Sequence, residues 1–120
     1  DQAAYDRRTC AQYIATKVRQ APGPDSISLS SFGDGDALAV TESIEGEPYV
    51  TRIYCHNGWL RELFALDGED FAPEDGEKVL EAQALSLTLE DGLLWVGITG
   101  ADGSPVRFTL SIRTGEGAAP

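Results

Sequence analysis

Hydrophobic side chains follow a helical period at the start of this chain. Residues 1–21 contain neither Gly nor Pro, and their apolar positions recur at the spacing of one helix face. That apolar stripe consists of Ala3, Cys10, Ile14, Val18 and Ala21. Because the Pro22-Gly23-Pro24 segment that follows cannot continue a helix, we predict that the helix ends at residue 21.

From residue 26 onward the period changes to two, which predicts strands. The clearest case covers residues 106–113, where apolar and polar side chains alternate strictly, so that one face is buried and the other is wet. The apolar face of this segment is formed by Val106, Phe108, Leu110 and Ile112. The same alternation, less regular, predicts six or seven strands in all.

Tight turns connect the predicted strands in sequence order. The strongest hairpin signal is Asn57-Gly58, because a type I′ turn needs two positive φ values, and it predicts that strands 48–56 and 59–66 pair directly. Short connections of this kind join antiparallel neighbours. The pattern therefore predicts an α+β fold, in which a long N-terminal helix packs on a mostly antiparallel meander sheet of six to seven strands.

The length of 120 residues fits a single domain. We divide it into a helix at 1–21, an antiparallel sheet at 26–114 and a tail at 115–120. The longest uncharged run, residues 92–101, has ten residues, whereas a membrane-spanning helix needs roughly 20. We therefore predict neither a transmembrane segment nor a signal peptide within this sequence.

Charge is distributed unevenly over a chain whose net charge is −11. Residues 1–21 carry four basic and two acidic side chains, a net of +2, and the remainder carries five basic and eighteen acidic ones, a net of −13. An acidic body repels phosphates, so we expect no nucleic-acid partner. The contrast between a basic helix and an acidic body favours contacts between neighbouring copies.

The residues offer no workable catalytic constellation, and we expect a protein that is not an enzyme and needs no cofactor. The only histidine is His56, and its neighbour Cys55 points to the opposite face of a strand, so the two cannot form a nucleophile and base pair. No G-x-S-x-G elbow is present, and the glycines lie at hairpins rather than in a phosphate-binding loop.

Carboxylates gather in two places. Asp34 and Asp36 lie in a Gly-Asp-Gly-Asp segment, which is typical of a turn. The loop 67–78 holds six acidic residues, of which Asp67, Asp70 and Asp75 are candidate calcium ligands. Their spacing matches no EF-hand, so an acidic loop without any metal is the alternative interpretation.

Two cysteines, Cys10 and Cys55, permit one disulfide and no thiolate zinc site. Cys10 lies on the helix stripe that should face the sheet, and Cys55 shares a strand face with Ile53. We therefore predict that the two lie near each other. They either form a bridge or remain two buried thiols.

Aromatic residues suggest a recognition patch or a sheet face covered by a loop. The four residues concerned are Tyr49, Tyr54, Trp59 and Trp95. Trp95 lies on the strand face opposite Leu94 and Val96, so we expect it to be exposed.

The order and spacing of these segments resemble those of a known protein family. The helix ends in Lys17-Val18-Arg19-Gln20-Ala21, and Ile27-Ser28-Leu29 follows. Further matching positions are Ala37, Leu38, Ala39, Val40, Tyr49, Arg52, Tyr54, Gly58, Leu60 and Arg61. In this arrangement the chain resembles minor pilin-like proteins, or pseudopilins. The similarity is to J-like and F-like minor subunits of type II secretion systems and competence pili, and to an uncharacterised pilin-like family of Gram-positive bacteria.

The resemblance implies a non-enzymatic structural subunit that assembles through its N-terminal helix into a short extracytoplasmic fibre. Its partners would be other pilin-like subunits. An apolar half-helix preceding residue 1 would anchor the precursor in the membrane, with the protein on the extracytoplasmic side at the cell surface. The isolated domain would be a monomer. The candidate assembly surface is Ala3, Ala4, Arg7 and Arg8. The alternative is a secreted or lipid-anchored module that binds a small ligand or a protein.

Overall fold

The computed structural model describes residues 2–112 and, within its helix, the side chains of residue 2 and residues 8–19. Helix α1 spans Gln2–Arg19, and seven strands follow. The strands are β1 (Ile27–Phe32), β2 (Gly35–Ile44), β3 (Glu47–His56), β4 (Trp59–Leu66), β5 (Glu77–Glu90), β6 (Leu93–Gly100) and β7 (Pro105–Ser111). No helix within this part of the chain is long and apolar enough to span a bilayer. The predicted tail, 115–120, lies outside the described residues.

The prediction of an α+β fold with a long N-terminal helix packed on the sheet is wrong. Strand accounts for 59% of the structure and helix for 18%, so this is a mainly β domain with one short helix. Helix α1 stops at Arg19, whereas β5 begins at Glu77 and runs for 14 residues. The physical reason is that α1 supplies little of the core. Among its described side chains only Cys10, Ile14 and Val18 are buried, and the strands supply the other core residues.

The meander itself is confirmed. The seven strands form one sheet in the order β1 to β7, and every pair of neighbours is antiparallel. Strands β3 and β4 pair directly, with His56 opposite Trp59. The connecting residues Asn57 and Gly58 have φ values of 52° and 81°, as a type I′ turn requires.

Strand β5 changes partner along its length and so curls the sheet. Residues up to Glu81 pair with β4, and residues from Ala82 onward pair with β6, after a register shift between Ala82 and Ala84. Such a bulge bends the strand that carries it. Beyond the shift, β5 no longer pairs with β4. There the Leu87 N–H of β5 donates to Asp36 Oδ2 of β2 at 2.8 Å.

The core lies inside this curl. Side chains from both halves of the sheet meet there, among them Leu38, Ile53, Leu60, Leu94 and Ile98, all with at most 1% exposure. From Cys10 onward, α1 contributes Cys10, Ile14 and Val18 to the same cluster. Burial of one large aliphatic side chain contributes roughly 1.5–3 kcal/mol, so this cluster is the main source of stability.

A second, smaller cluster lies on the other face of β2–β4. It consists of Ala37, Tyr54 and Leu63, with Phe32 and Ala65 packed against it. The acidic loop covers it, because Tyr54 Oη donates to the Pro73 carbonyl at 2.7 Å. The buried Arg61 donates to the carbonyls of His56, Glu74 and Gly76 at 3.2, 3.2 and 3.4 Å. We call these three bonds the Arg61 clamp.

Candidate functional site

Cys55 and His56, which the sequence excludes as a catalytic pair, lie next to the β3–β4 turn, and His56 connects this turn to the β1–β2 turn. His56 Nδ1 lies 3.1 Å from Asp34 Oδ1, and the Asn57 N–H donates to Asp34 Oδ2 at 3.0 Å. Asp34 itself belongs to the β1–β2 turn, and its N–H donates to the Cys55 carbonyl at 2.9 Å. The histidine is thus paired with a carboxylate, while the Cys55 side chain faces the core.

The two cysteines are buried and both are present as thiols. They belong to one core cluster. Burial raises the pKa of Cys55 to about 12, and the neighbouring Cys10 and Asp34 act in the same direction. Because the thiolate is the reactive form, Cys55 is a poor nucleophile in this fold. Of the two alternatives that the sequence leaves open, the structure has two buried thiols rather than a bridge between Cys10 and Cys55.

The candidate calcium ligands do not converge. Asp67, Asp70 and Asp75 are all exposed, and Asp75 Oδ2 accepts the Ala72 N–H at 2.9 Å at the start of a 3₁₀ turn. Among the side chains that the structure describes, no three or more acidic, His or Cys residues group as a metal site would need. What sequence reasoning missed is the Arg61 clamp, which holds the backbone of this acidic loop.

The candidate assembly surface is described only in part. Arg8 is exposed, and the side chains of Ala3, Ala4 and Arg7 lie outside the described residues. Further along α1, Tyr13 Oη donates a short hydrogen bond to Glu62 Oε1.

Lys17 lies one turn after Tyr13 and pairs with the same carboxylate, its Nζ being 3.1 Å from Glu62 Oε1. Burial, with the charge of Glu62 beside it, raises the pKa of Tyr13 far above its usual value. The phenol is therefore neutral and acts as a donor that ties α1 to β4.

An open groove lies on the outer face of β5–β7, and we call it the Trp95 groove. Its volume is about 440 Å³, and the side chains that define it are Ser86, Thr88, Trp95, Arg107 and Thr109, with Gly97 at its floor. The predicted exposure of Trp95 is confirmed at 51%, whereas Tyr54 of the same aromatic set is fully buried. Sequence reasoning missed Gly97 and Arg107, although a glycine inside an alternating strand was a usable signal.

Comparison with known proteins gives one relationship. Residues 5–101 match the family described as Domain of unknown function (DUF4860). The chain belongs to this family. No curated protein and no solved structure matches the chain.

The DUF4860 match ends between strands β6 and β7. It includes α1 from residue 5 and strands β1–β6, and it stops at residue 101, before β7. Arg107, which lines the Trp95 groove, lies on β7 and therefore outside the matched range. The description of the DUF4860 family assigns no activity.

Proposed function

We propose that this protein is a non-catalytic, pilin-like structural subunit, which assembles through the N-terminal half of α1 with other pilin-like subunits at the extracytoplasmic side of a membrane. The observation that carries the proposal is the uneven attachment of α1. Among the side chains of α1 that the structure describes, the buried ones are Cys10, Ile14 and Val18, whereas Gln2 and Arg8, which precede them, are exposed.

The second half of α1 is held on two sides. Its apolar stripe faces β5, β6 and β7, and its Tyr13 and Lys17 side chains both bind Glu62 of β4. The two contacts prevent the helix from rolling or sliding relative to the sheet. A helix fixed in this way suits a subunit that must transmit its orientation to neighbours.

The charges support contacts between copies. Lys17 is neutralised by Glu62, so Arg8 and Arg19 are the exposed basic side chains that the structure describes on α1. The remainder of the chain carries a net charge of −13. A basic helix end of one subunit therefore complements the acidic body of the next, which guides orientation and association.

The chemistry of the described residues also supports a structural role. His56 pairs with Asp34, the pKa of Cys55 is raised to about 12, and Tyr13 and Glu62 bind each other. His56, Tyr13 and Glu62 thus each join two elements, and Cys55 is a buried thiol of low reactivity.

The test uses the full-length precursor in cells, with a photo-reactive amino acid in place of Arg8. We expect crosslinks to other pilin-like subunits, and we expect Arg8→Glu to weaken assembly while the fold stays intact. Arg19→Glu is the matched control, because Arg19 is also exposed on α1 but lies at its other end. Equal loss in both variants would contradict assembly through the first half of α1.

The precursor sequence provides an independent test. A prepilin-type cleavage site followed by roughly 20 apolar residues would support the proposal, since that length spans a bilayer. A lipobox or a conventional cleaved signal would instead favour the secreted or lipid-anchored binding module.

A further inference from the structure

The Trp95 groove lies on a rigid platform. Trp95 and Gly97 belong to β6, which is paired on both sides, with β5 and with β7. The alternate residues Leu94, Val96 and Ile98 are buried in the core with at most 3% exposure. Because every second residue of β6 is anchored, the outer face keeps one shape, which suits a preformed site.

Gly97 creates the floor of the groove. It lies opposite Ser86 on β5 and Arg107 on β7, and a Cβ at this position would come within 2.6 Å of Ser86 Oγ. Glycine weakens the interior of a strand and often marks a place where a ligand approaches the backbone. The missing side chain leaves a shallow notch beside the indole of Trp95, into which the Ser86 hydroxyl reaches.

Trp95 forms one wall of the notch with a large exposed ring. Its neighbours across the strands are Thr88 and Thr109, and all three side chains are exposed. An indole presents a flat apolar face, and hydroxyl groups beside it donate and accept hydrogen bonds. A flat apolar surface rimmed by hydroxyls matches a sugar ring, which has a C–H face and polar edges.

Arg107 determines which charge a ligand of the Trp95 groove should carry. Its side chain is exposed and makes no hydrogen bond or ion pair with any residue in the part of the chain that the structure describes. A guanidinium binds carboxylates through two parallel hydrogen bonds, so the ligand it fits carries a carboxylate.

We propose that the Trp95 groove binds an acidic sugar, with the sugar ring stacked on Trp95 above Gly97 and its carboxylate held by Arg107. This site faces away from α1, since the opposite face of β6 contacts the core. It therefore does not depend on the assembly role proposed above.

The test titrates the whole chain with two disaccharides that differ only in one carboxylate, cellobiouronic acid and cellobiose. The protein carries Trp59→Phe, so that Trp95 alone reports by fluorescence, while a ring remains under Lys78, whose Nζ lies 5.0 Å from the Trp59 ring. We expect saturable binding of the acidic sugar. The affinity for cellobiose should be lower by a factor of at least about ten, which corresponds to the loss of one charged hydrogen bond.

Three variants locate the binding. Arg107→Gln should remove the difference between the two sugars, and Gly97→Val should abolish binding of both by filling the notch. Because Gly97→Val is able to unfold the strand, Trp95→Ser at an exposed position tests the stacking independently by calorimetry. Arg52→Gln on β3 is the control, since it removes the same charge far from the groove.

The opposing results are equally specific. Absence of saturable binding, equal affinity for both sugars, or affinity unchanged by Arg107→Gln would overturn the proposal. So would binding of a blocked Glu-Gly dipeptide in place of the sugar, because the groove would then recognise an acidic peptide.

Discussion

Replacing Arg61 by methionine tests whether the Arg61 clamp holds the acidic loop on the sheet. The change removes two good charged hydrogen bonds, to the His56 and Glu74 carbonyls at 3.2 Å, and a longer one to Gly76 at 3.4 Å. Hydrogen bonds to charged groups contribute about 1.5–3 kcal/mol each, so the two good ones contribute about 3–6 kcal/mol.

Methionine recovers part of this loss. Arg61 is only 6% exposed, so a methionine there buries its side chain and regains about 1.5–3 kcal/mol of apolar burial. The expected net destabilisation of Arg61→Met is therefore about 1.5–3 kcal/mol. With a urea m-value of about 2 kcal/mol/M, the unfolding midpoint should fall by roughly 1 M.

Urea unfolding monitored by circular dichroism measures this difference, and hydrogen exchange shows where it arises. The Asp75 N–H, which donates to the Ala72 carbonyl at 2.9 Å, should exchange faster in the variant, because the loop opens without the clamp. Arg52→Met is the control and should change stability by less than about 0.5 kcal/mol. If Arg61→Met and Arg52→Met have the same midpoint, the clamp does not stabilise the fold.

Further changes test the hairpin, the buried thiol and the curl of the sheet. Gly58→Val should cost about 1–3 kcal/mol by thermal unfolding, because a β-branched residue resists the φ of 81° at Gly58, whereas Gly23→Ala, with open space around it, should be neutral; equal costs would contradict this. Burial raises the pKa of Cys55 from 9.0 to about 12, so its contribution to stability is present below pH 9 and is lost as the pH rises towards 12. Cys55→Ala should flatten that alkaline decline in urea midpoints, and an unchanged slope would refute the assignment. Asp36→Ala should cost about 1–3 kcal/mol, because the Leu87 N–H loses its acceptor; a neutral result by the same unfolding assay would show that water replaces the carboxylate.

The hairpins could be predicted because their turns carry a local chemical signature. Asn57-Gly58 and Asp91-Gly92 adopt positive φ at both residues, which few other residue pairs do readily. The β2–β3 turn has the same backbone conformation, with Glu45 at φ 52°. In that turn only Gly46 indicates positive φ, because glutamate is not a typical residue of such turns. Strand pairing in a meander then follows from turns alone.

The fold class, the Arg61 clamp and the Trp95 groove could not be predicted from local sequence patterns, because they depend on contacts between distant segments. The helical stripe predicted where α1 lies in sequence but not how little of the structure it forms. The Arg61 clamp depends on which loop covers the second face. The Trp95 groove combines residues from three strands. Its floor is Gly97, which has no side chain, and its shape depends on the pairing that places Ser86 and Arg107 on either side of Gly97.

The sequential strand order has a consequence for how the chain folds. Each pairing joins segments that are adjacent in sequence, so the entropy lost on closing each hairpin loop is small. The steps that span long stretches of chain are the docking of α1 onto β6 and β7 and the bond between Asp36 and Leu87, which are 51 residues apart. Contacts between distant segments slow folding most. We therefore expect hairpins to form early and the curl to close last, so that changes in the Asn57-Gly58 turn slow folding, whereas changes at Ile14 or Asp36 mainly speed unfolding.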